Sequence, residues 1–355
     1  MPVKKTDIAP FLSLATQFPV LDVRSPGEYK HAHIPGAVPF PLFTDEERKI
    51  VGTIYKQKSR EEAIKAGLDF FGGKMRKMVE EAESLVGSRQ WGMGSGNQDR
   101  KTILVHCWRG GMRSAGVAWL LDLYGFKVHT LAGGYKVFRR WVLEQFDKPY
   151  NLKILGGFTG SGKTHALHAL ATQQETVIDL EGLASHKGSA FGNIGMPDQP
   201  SQEMFENKLA LALFVSATKQ QPIWLEDESQ RVGDVNIPTN LWRQMREKPL
   251  YFLDIPFEQR LQHIVKEYGS HSKEKMVNAI IRIKKRLGGL ETKECINALV
   301  EDRTEDCFRI LLSYYDKWYL KGMHNRPGLE TLLHKIPCAT VAESNINQLL
   351  QLPVT

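Results

Sequence analysis

Cysteine is scarce in this chain. Cys107, Cys295, Cys307 and Cys338 are the only four in 355 residues, and no two of them form a C-x-x-C pair. That spacing points away from a disulfide framework and from a zinc site, so a fold stapled by bridges or by a structural metal is not expected. Long apolar runs are also missing, and none reaches the length of about 20 residues that a membrane helix needs. Met1 to Pro10 carries lysines, but no apolar segment of the kind found in a secretion signal follows. A cytoplasmic protein is the expectation. Acidic residues are outnumbered, 40 against 47 basic ones, which leaves a net charge of +7. An excess of this sign suits an acidic partner, of which nucleic acid is the commonest large one, and equally suits a plain basic surface.

The rest of the composition is that of an ordinary globular protein, with 42% hydrophobic and 25% charged residues. The length favours two domains, placed at 1–147 and 150–355 with a boundary between Phe146 and Asn151. Both read as α/β.

His106-Cys107-Trp108-Arg109-Gly110-Gly111-Met112-Arg113-Ser114 is the most chemically loaded stretch of the first domain. Thr102 to Val105 before it reads as a short buried strand, and Val117, Leu120, Leu121 and Tyr124 after it repeat as one helical face. Cys107 is therefore expected at a strand's carboxyl end, facing a helix N-terminus whose amides and dipole favour an anion. Arg109 and Arg113 add cations, and the paired glycines let amides turn inward. The plainer alternative is a buried, inert thiol.

Upstream, Val20 to Arg24 reads as a strand, Ser25 to Tyr29 as a turn and helix start, and Val38 to Leu42 as a second extended segment. Thr44 to Val86 is expected to be helical with a break at Gly72-Gly73; its Lys74, Arg76 and Lys77 read as a solvated face or a polyanion contact. Val86 to Arg100, rich in glycine and serine, reads as a surface loop. Val128 to Leu131 is a further strand, and Tyr135 to Phe146 a further helix.

In the second domain the strand Leu152 to Leu155 runs into Gly157-Phe158-Thr159-Gly160-Ser161-Gly162-Lys163-Thr164, which fits G-x4-G-K-[ST]. This is a P-loop: backbone amides cradle linked phosphates, Lys163 reaches the outer oxygens, and the Thr164 hydroxyl is suited to Mg2+. Val177 to Leu180, Ile223 to Leu225 and Leu250 to Ile255 are expected strands. The acidic run Glu226-Asp227-Glu228 ends the second of these, so Glu226 or Asp227 is a candidate to hold Mg2+ through water, or an exposed loop carboxylate. The polar loops His186 to Gly192 and Gln199 to Glu203 are expected on the phosphate side or as simple connections. From Phe257 the chain turns helical and basic, with Arg282, Lys284, Lys285 and Arg286 clustered and Phe308, Leu311, Leu312 and Tyr315 marking an apolar face.

Leu21-Asp22-Val23-Arg24 with Glu28-Tyr29, His33-Ile34-Pro35-Gly36-Ala37, the cysteine loop and Leu131-Ala132-Gly133-Gly134 together resemble the rhodanese family over about the first two fifths of the chain. The resemblance implies a rhodanese-like open sheet and a thiolate that carries a chalcogen atom. The spacing from Cys107 to Arg113 is C-x5-R, one residue longer than the usual sulfurtransferase loop and equal to the phosphatase type of this fold. Phosphate chemistry therefore stays open: a phosphatase fused to a kinase-like, ATP-binding domain would share both loops, and a non-catalytic, tRNA-binding sulfur-relay adaptor would keep only the basic surface.

The whole chain resembles the tRNA 2-selenouridine synthase family. The likeness extends to Ile178-Asp179-Leu180-Glu181-Gly182-Leu183-Ala184, to His186 through Gly192, and to Gln199-Pro200-Ser201-Gln202-Glu203-Met204-Phe205-Glu206-Asn207. What it implies is a transferase that replaces the sulfur of a wobble 2-thiouridine with selenium from selenophosphate, by way of S-geranylation from geranyl diphosphate. Cys107 would be catalytic, and Arg109, Gly110, Gly111, Met112 and Arg113 would form the selenophosphate loop. Gly157 and Thr159 to Thr164 would grip the diphosphate, with no tightly bound cofactor and no need for ATP. The partner implied is the anticodon arm of tRNA.

Overall fold

Short β-branched strands alternate with helices from the start of the chain, and the alternation settles the architecture. The structure, a computed structural model, describes residues 3–87, 101–269 and 271–351. Two compact units divide the chain at Glu144 and Gln145. The first contains β1 (Lys4–Thr6), α1 (Ile8–Ala15), β2 (Val20–Asp22), α2 (Pro26–His31), β3 (Val38–Pro39), α3 (Asp45–Gln57), α4 (Arg60–Gly72), α5 (Met75–Gly87), β4 (Thr102–His106), α6 (Met112–Leu123), β5 (Lys127–Leu131) and α7 (Gly134–Gln145), whose last residue opens the second unit. Its strands form one parallel sheet in the order β1-β5-β4-β2-β3.

Leu21, Ile103, Val105, Val117, Leu121 and Val128 fill the core beneath the sheet. Asp22 pairs in register with His106, so the carboxyl ends of β2 and β4 lie side by side, where open α/β sheets bind their ligands. The expected helical stretch from Thr44 to Val86 divides into three helices rather than two. A second break falls at Lys58 and Ser59, because Ser59 Oγ caps α4 by accepting the Glu62 N–H at 3.1 Å, as Thr44 caps α3. Of the expected loop from Val86 to Arg100, the first two residues belong to α5 and 88–100 lie outside the described residues.

The second unit continues with β6 (Leu152–Gly157), α8 (Lys163–Thr172), β7 (Thr176–Val177), α9 (Leu180–Ala184), α10 (Gln202–Ala217), β8 (Ile223–Glu226), the hairpin β9 (Arg231–Val232) and β10 (Val235–Asn236), α11 (Thr239–Arg246) and β11 (Leu250–Asp254). A helical region follows: α12 (Phe257–Tyr268), α13 (Lys273–Leu287), α14 (Gly289–Val300) and α15 (Thr304–His324). The chain then returns through α16 (Leu329–Leu332), β12 (Leu333–Pro337) and α17 (Ile346–Leu350). A parallel sheet in the order β12-β11-β6-β8-β7 places the P-loop strand at its centre.

The strand expected over Val177 to Leu180 is a correction. Strand geometry stops at Val177, because Asp179 Oδ1 accepts the Gly182 N–H at 2.6 Å and starts α9 instead. The helices after Phe257 pack on their own core, in which Phe308, Leu311 and Leu312 meet Leu261 and Ile280, so the apolar face expected on α15 is a core face. Among the described residues, no helix is long and apolar enough to cross a membrane.

Candidate functional site

Cys107 leaves β4 directly and is buried at the start of the α6 turn. Its Sγ lies 3.2 Å from Ser114 Oγ, whose hydroxyl also has the Gly111 carbonyl in reach at 3.1 Å. Burial pushes this thiol up. The Ser114 hydroxyl, the N–H groups of Ser114 and Arg109 and the Arg113 charge outweigh burial and hold it below the ordinary thiol value. Burial drives His106 down to about 4, so the ring beside the thiol is neutral near neutral pH.

Tyr135 and Lys136 donate their N–H groups to the carbonyls of Cys107 and Trp108 at 2.9 and 3.0 Å, which ties the loop to the start of α7. Gly134 makes this approach feasible: at φ +62° a Cβ there would stand 2.3 Å from the Cys107 carbonyl oxygen. Arg24, fully buried and forked onto Asp22, lies 3.8 Å below the Tyr135 ring and supports the same contact. The Asp-x-Arg pattern is visible in the sequence, but its link to Tyr135 needs the fold.

Of the loop residues expected to bind an anion, Gly110 adopts a left-handed turn, Gly111 caps α6 and Met112 is exposed at its first position. The two arginines differ. Arg113 is half-buried and donates to Glu28 Oε2 at 2.7 Å, while Glu28 also accepts from Ser25 N and Arg48, so its charge is shared. The Arg109 side chain is exposed and makes no ion pair with the described residues.

The P-loop bridges β6 and α8. Lys163 Nζ donates to the Gly157 carbonyl at 3.1 Å. Arg260 of α12 braces the loop: it donates to the Thr159 carbonyl at 3.1 Å and forks onto Asp316 of α15 at 2.9 and 2.7 Å. Tyr319, also on α15, accepts the Gly157 N–H at 3.2 Å and donates to Asp227 Oδ2 at 2.7 Å. No sequence signal points to Arg260, Asp316 or Tyr319, whose partners lie 56 to 162 positions away.

The carboxylate that meets Thr164 is Glu181, accepting from Thr164 Oγ1 at 2.8 Å. Glu226 and Asp227, the two expected there, are engaged elsewhere. Glu226 has no exposed surface, accepts the Leu180 N–H at 3.0 Å and faces Asp179. Asp227 is held by Tyr319 and by the buried Arg326. Glu228 supplies the second acid beside Glu181: burial and the Glu181 charge push it well up, while Lys163 draws it down. Gly188, at φ +67°, is packed so tightly against this pair that a Cβ would lie 2.7 Å from Glu228 Oε2. Of the two polar loops, His186 to Gly192 thus reaches the phosphate side, whereas Gln199 anchors the hairpin through Val232 O and Asp234 N.

Around the P-loop lies a cavity of about 1020 Å³. Thr164, Glu181 and Glu228 line it near the loop, Tyr314, Tyr315 and Trp318 of α15 give it an aromatic wall, and Arg243 and Arg246 of α11, beside Trp242, give it a cationic one. Arg282, Lys284, Lys285 and Arg286 are all exposed in the last turns of α13, where cations also oppose the helix dipole. Lys74 and Arg76 of the first unit are paired with Glu47 and Glu80.

Residues 150–332 match the tRNA 2-selenouridine synthase AAA domain, and residues 12–140 match the rhodanese-like domain. The tRNA 2-selenouridine synthase of Hydrogenovibrio crunogenus is 35% identical over 333 residues, covering 85% of this chain and 88% of the relative. That of Nitrosomonas europaea is 36% identical over 256 residues, covering 70% and 63%. That of Pseudomonas putida strain W619 is 34% identical over 293 residues, covering 76% of each. With both halves matched in order and the likeness running through most of its length, this chain belongs to the tRNA 2-selenouridine synthase family.

Proposed function

We propose that the protein exchanges the sulfur of a wobble 2-thiouridine in tRNA for selenium in two steps, geranyl transfer at the P-loop and selenium delivery at the Cys107 loop. The observation that carries this reading is the cavity, in which a phosphate cradle and an aromatic wall share one space of about 1020 Å³. That pairing suits a diphosphate joined to a hydrocarbon chain.

In the first step the thiocarbonyl sulfur bonds to C1 of the geranyl group as the C1–O bond breaks. Diphosphate leaves with the electron pair, and the N3 proton is lost to give a neutral S-geranyl base. The P-loop amides and Lys163 take up the charge that grows on the departing diphosphate. Thr164 and Glu181 are the residues that would hold a Mg2+ ion, which would neutralise the same charge. The Arg243 and Arg246 side chains and the Trp242 ring suit the phosphates and a splayed base of an anticodon loop.

In the second step selenophosphate, a small tetrahedral anion, sits in the C-x5-R loop with Arg109 and Arg113. The Cys107 thiolate attacks phosphorus, forming an S–P bond and breaking P–Se, so that selenide leaves with the electron pair. Selenide adds to C2 of the S-geranyl base, geranylthiolate is expelled, and water returns the cysteine and phosphate.

The test is to incubate the protein with tRNA containing 2-thiouridine, geranyl diphosphate and selenophosphate, omit each in turn, and identify the nucleosides by mass spectrometry. Selenouridine should need all three. Lys163→Ala should lose both products, and Cys107→Ala should accumulate the S-geranyl nucleoside. ATP turnover with unchanged nucleosides would overturn the reading.

A further inference from the structure

We propose that a rim of cations, running from the end of α13 across α15 to α11, holds the phosphate backbone of the anticodon arm with its wobble nucleotide over the P-loop cavity. This rests on the tRNA-modifying reading above. From Met276 to Leu290 the sequence has four cations, Arg282, Lys284, Lys285 and Arg286, and no carboxylate. All of them are exposed, and none has an ion-pair partner among the described residues. Other cations of the same helical region are paired: Lys273 with Asp302, Arg303 with Glu301 and Asp306, and Arg309 with Glu258 and Glu305. The end of α13 leaves its charge to a partner.

A series of contacts carries this charge along the cavity. Arg286 lines the cavity with Tyr314 of α15, and its charge acts on that hydroxyl. One turn on, the Trp318 ring centroid stands 6.3 Å from that of Tyr314, and Lys321 Nζ lies 5.1 Å from the Trp318 centroid. Arg246 of α11 donates to the Gly322 carbonyl at 2.9 Å, which brings the α11 cations to the same end of α15. From Tyr314 to Gly322 the rim runs about 12 Å along the helix axis.

A row of this kind suits a polyanion. Each phosphate neutralised by a Lys or Arg releases condensed counterions, and the effect adds per contact whatever the base sequence. A compact anion such as diphosphate needs a cradle instead, which the P-loop supplies separately. Because the row borders the cavity, backbone contacts on both sides of α15 present one unpaired nucleotide to it, with the base splayed out as in other single-stranded loops.

The experiment measures binding of an anticodon stem-loop containing 2-thiouridine by fluorescence anisotropy, with salt raised from about 50 to about 200 mM. Arg286→Ala/Lys321→Ala and Lys284→Ala/Lys285→Ala should each flatten the slope of log affinity against log salt by about 1.4 to 1.8, at about 0.7 to 0.9 per lost contact. Binding at the lowest salt should weaken by about tenfold or more. Lys65→Ala/Arg76→Ala removes the same charge from exposed pairs with Glu62 and Glu80 in the first unit, and should keep the wild-type slope. Titration with inorganic diphosphate should give wild-type affinity in every variant, which shows an intact cradle. A folded rim variant that keeps the wild-type slope overturns the proposal, and so does a control that loses as much slope as the rim variants. A wild type that binds no stem-loop overturns the reading beneath it as well.

Discussion

The Thr164 hydroxyl donates to the Glu181 carboxylate at 2.8 Å, and this bond joins the first turn of α8 to α9 across the mouth of the P-loop. Losing a charged acceptor of this kind costs about 1.5–3 kcal/mol, or about 10- to 150-fold in rate. Glu181→Gln should therefore lower kcat/KM for geranyl transfer by that range. Glu226→Gln, whose side chain faces Asp179 and Leu180, should leave it within about twofold, since an enclosed group remote from the phosphates acts on the fold. Steady-state kinetics on both variants decide the assignment: the opposite ranking would return the role to Glu226.

Glu226 should make stability depend on pH. Burial and the adjacent Asp179 push its carboxyl well above the ordinary value. A raised folded-state pKa means that the folded chain binds the proton more tightly. The associated stability is complete below the unfolded carboxylate pKa and is lost as pH rises toward the folded one. Melting curves between about pH 5 and about pH 8 should show wild type losing more stability than Glu226→Gln, which keeps a donor but no ionisable proton. Parallel curves would mean that Glu226 does not titrate in this window.

Ser114 should control the reactivity of Cys107. Its hydroxyl is the largest of the influences that offset the burial of the thiol. Ser114→Ala should shift the pH profile of iodoacetamide labelling at Cys107 upward, with slower labelling near neutral pH and recovery at higher pH. Cys295, Cys307 and Cys338 are buried as Cys107 is, and peptide mapping reads the label on Cys107 apart from them. A profile unmoved by Ser114→Ala would assign the lowered thiol to the backbone amides and the Arg113 charge.

Local pattern and local chemistry make much of this architecture legible. The strand before Cys107, the helix after it and the P-loop each depend on residues within about a dozen positions, which periodicity and turn chemistry report directly. The strand at Val177 reads as longer than it is because a single Asx cap at Asp179 redirects the chain, and apolar character alone does not register a competing side-chain bond. The acidic partner of Thr164 escapes the sequence for a different reason. Which of Glu181, Glu226, Asp227 and Glu228 faces the P-loop depends on strand twist and on long-range partners such as Tyr319 and Arg326. Arg113 reads as a free cation until Glu28, 85 positions away, is brought against it.

Gly134 gives the sharpest test of how the thiol loop is built. It has φ +62°, and an added Cβ would come within 2.3 Å of the Cys107 carbonyl oxygen and 2.4 Å of the Gly110 nitrogen, both backbone atoms without rotamer freedom. Gly134→Ala must therefore move the cysteine loop itself. Backbone strain alone is a separate cost of about 1–2 kcal/mol for a left-handed alanine. Gly125→Ala isolates that cost, because Gly125 has φ +104° and a Cβ added there would meet nothing within 4 Å. Gly125→Ala should melt lower yet still convert S-geranyl nucleoside to selenouridine. Gly134→Ala should lose selenouridine formation while geranyl transfer persists, since the P-loop belongs to the other unit. The ratio of S-geranyl to selenated nucleoside in a single digest reads both effects. If Gly134→Ala selenates as well as Gly125→Ala, the contact between the two backbone segments does not hold Cys107 in place.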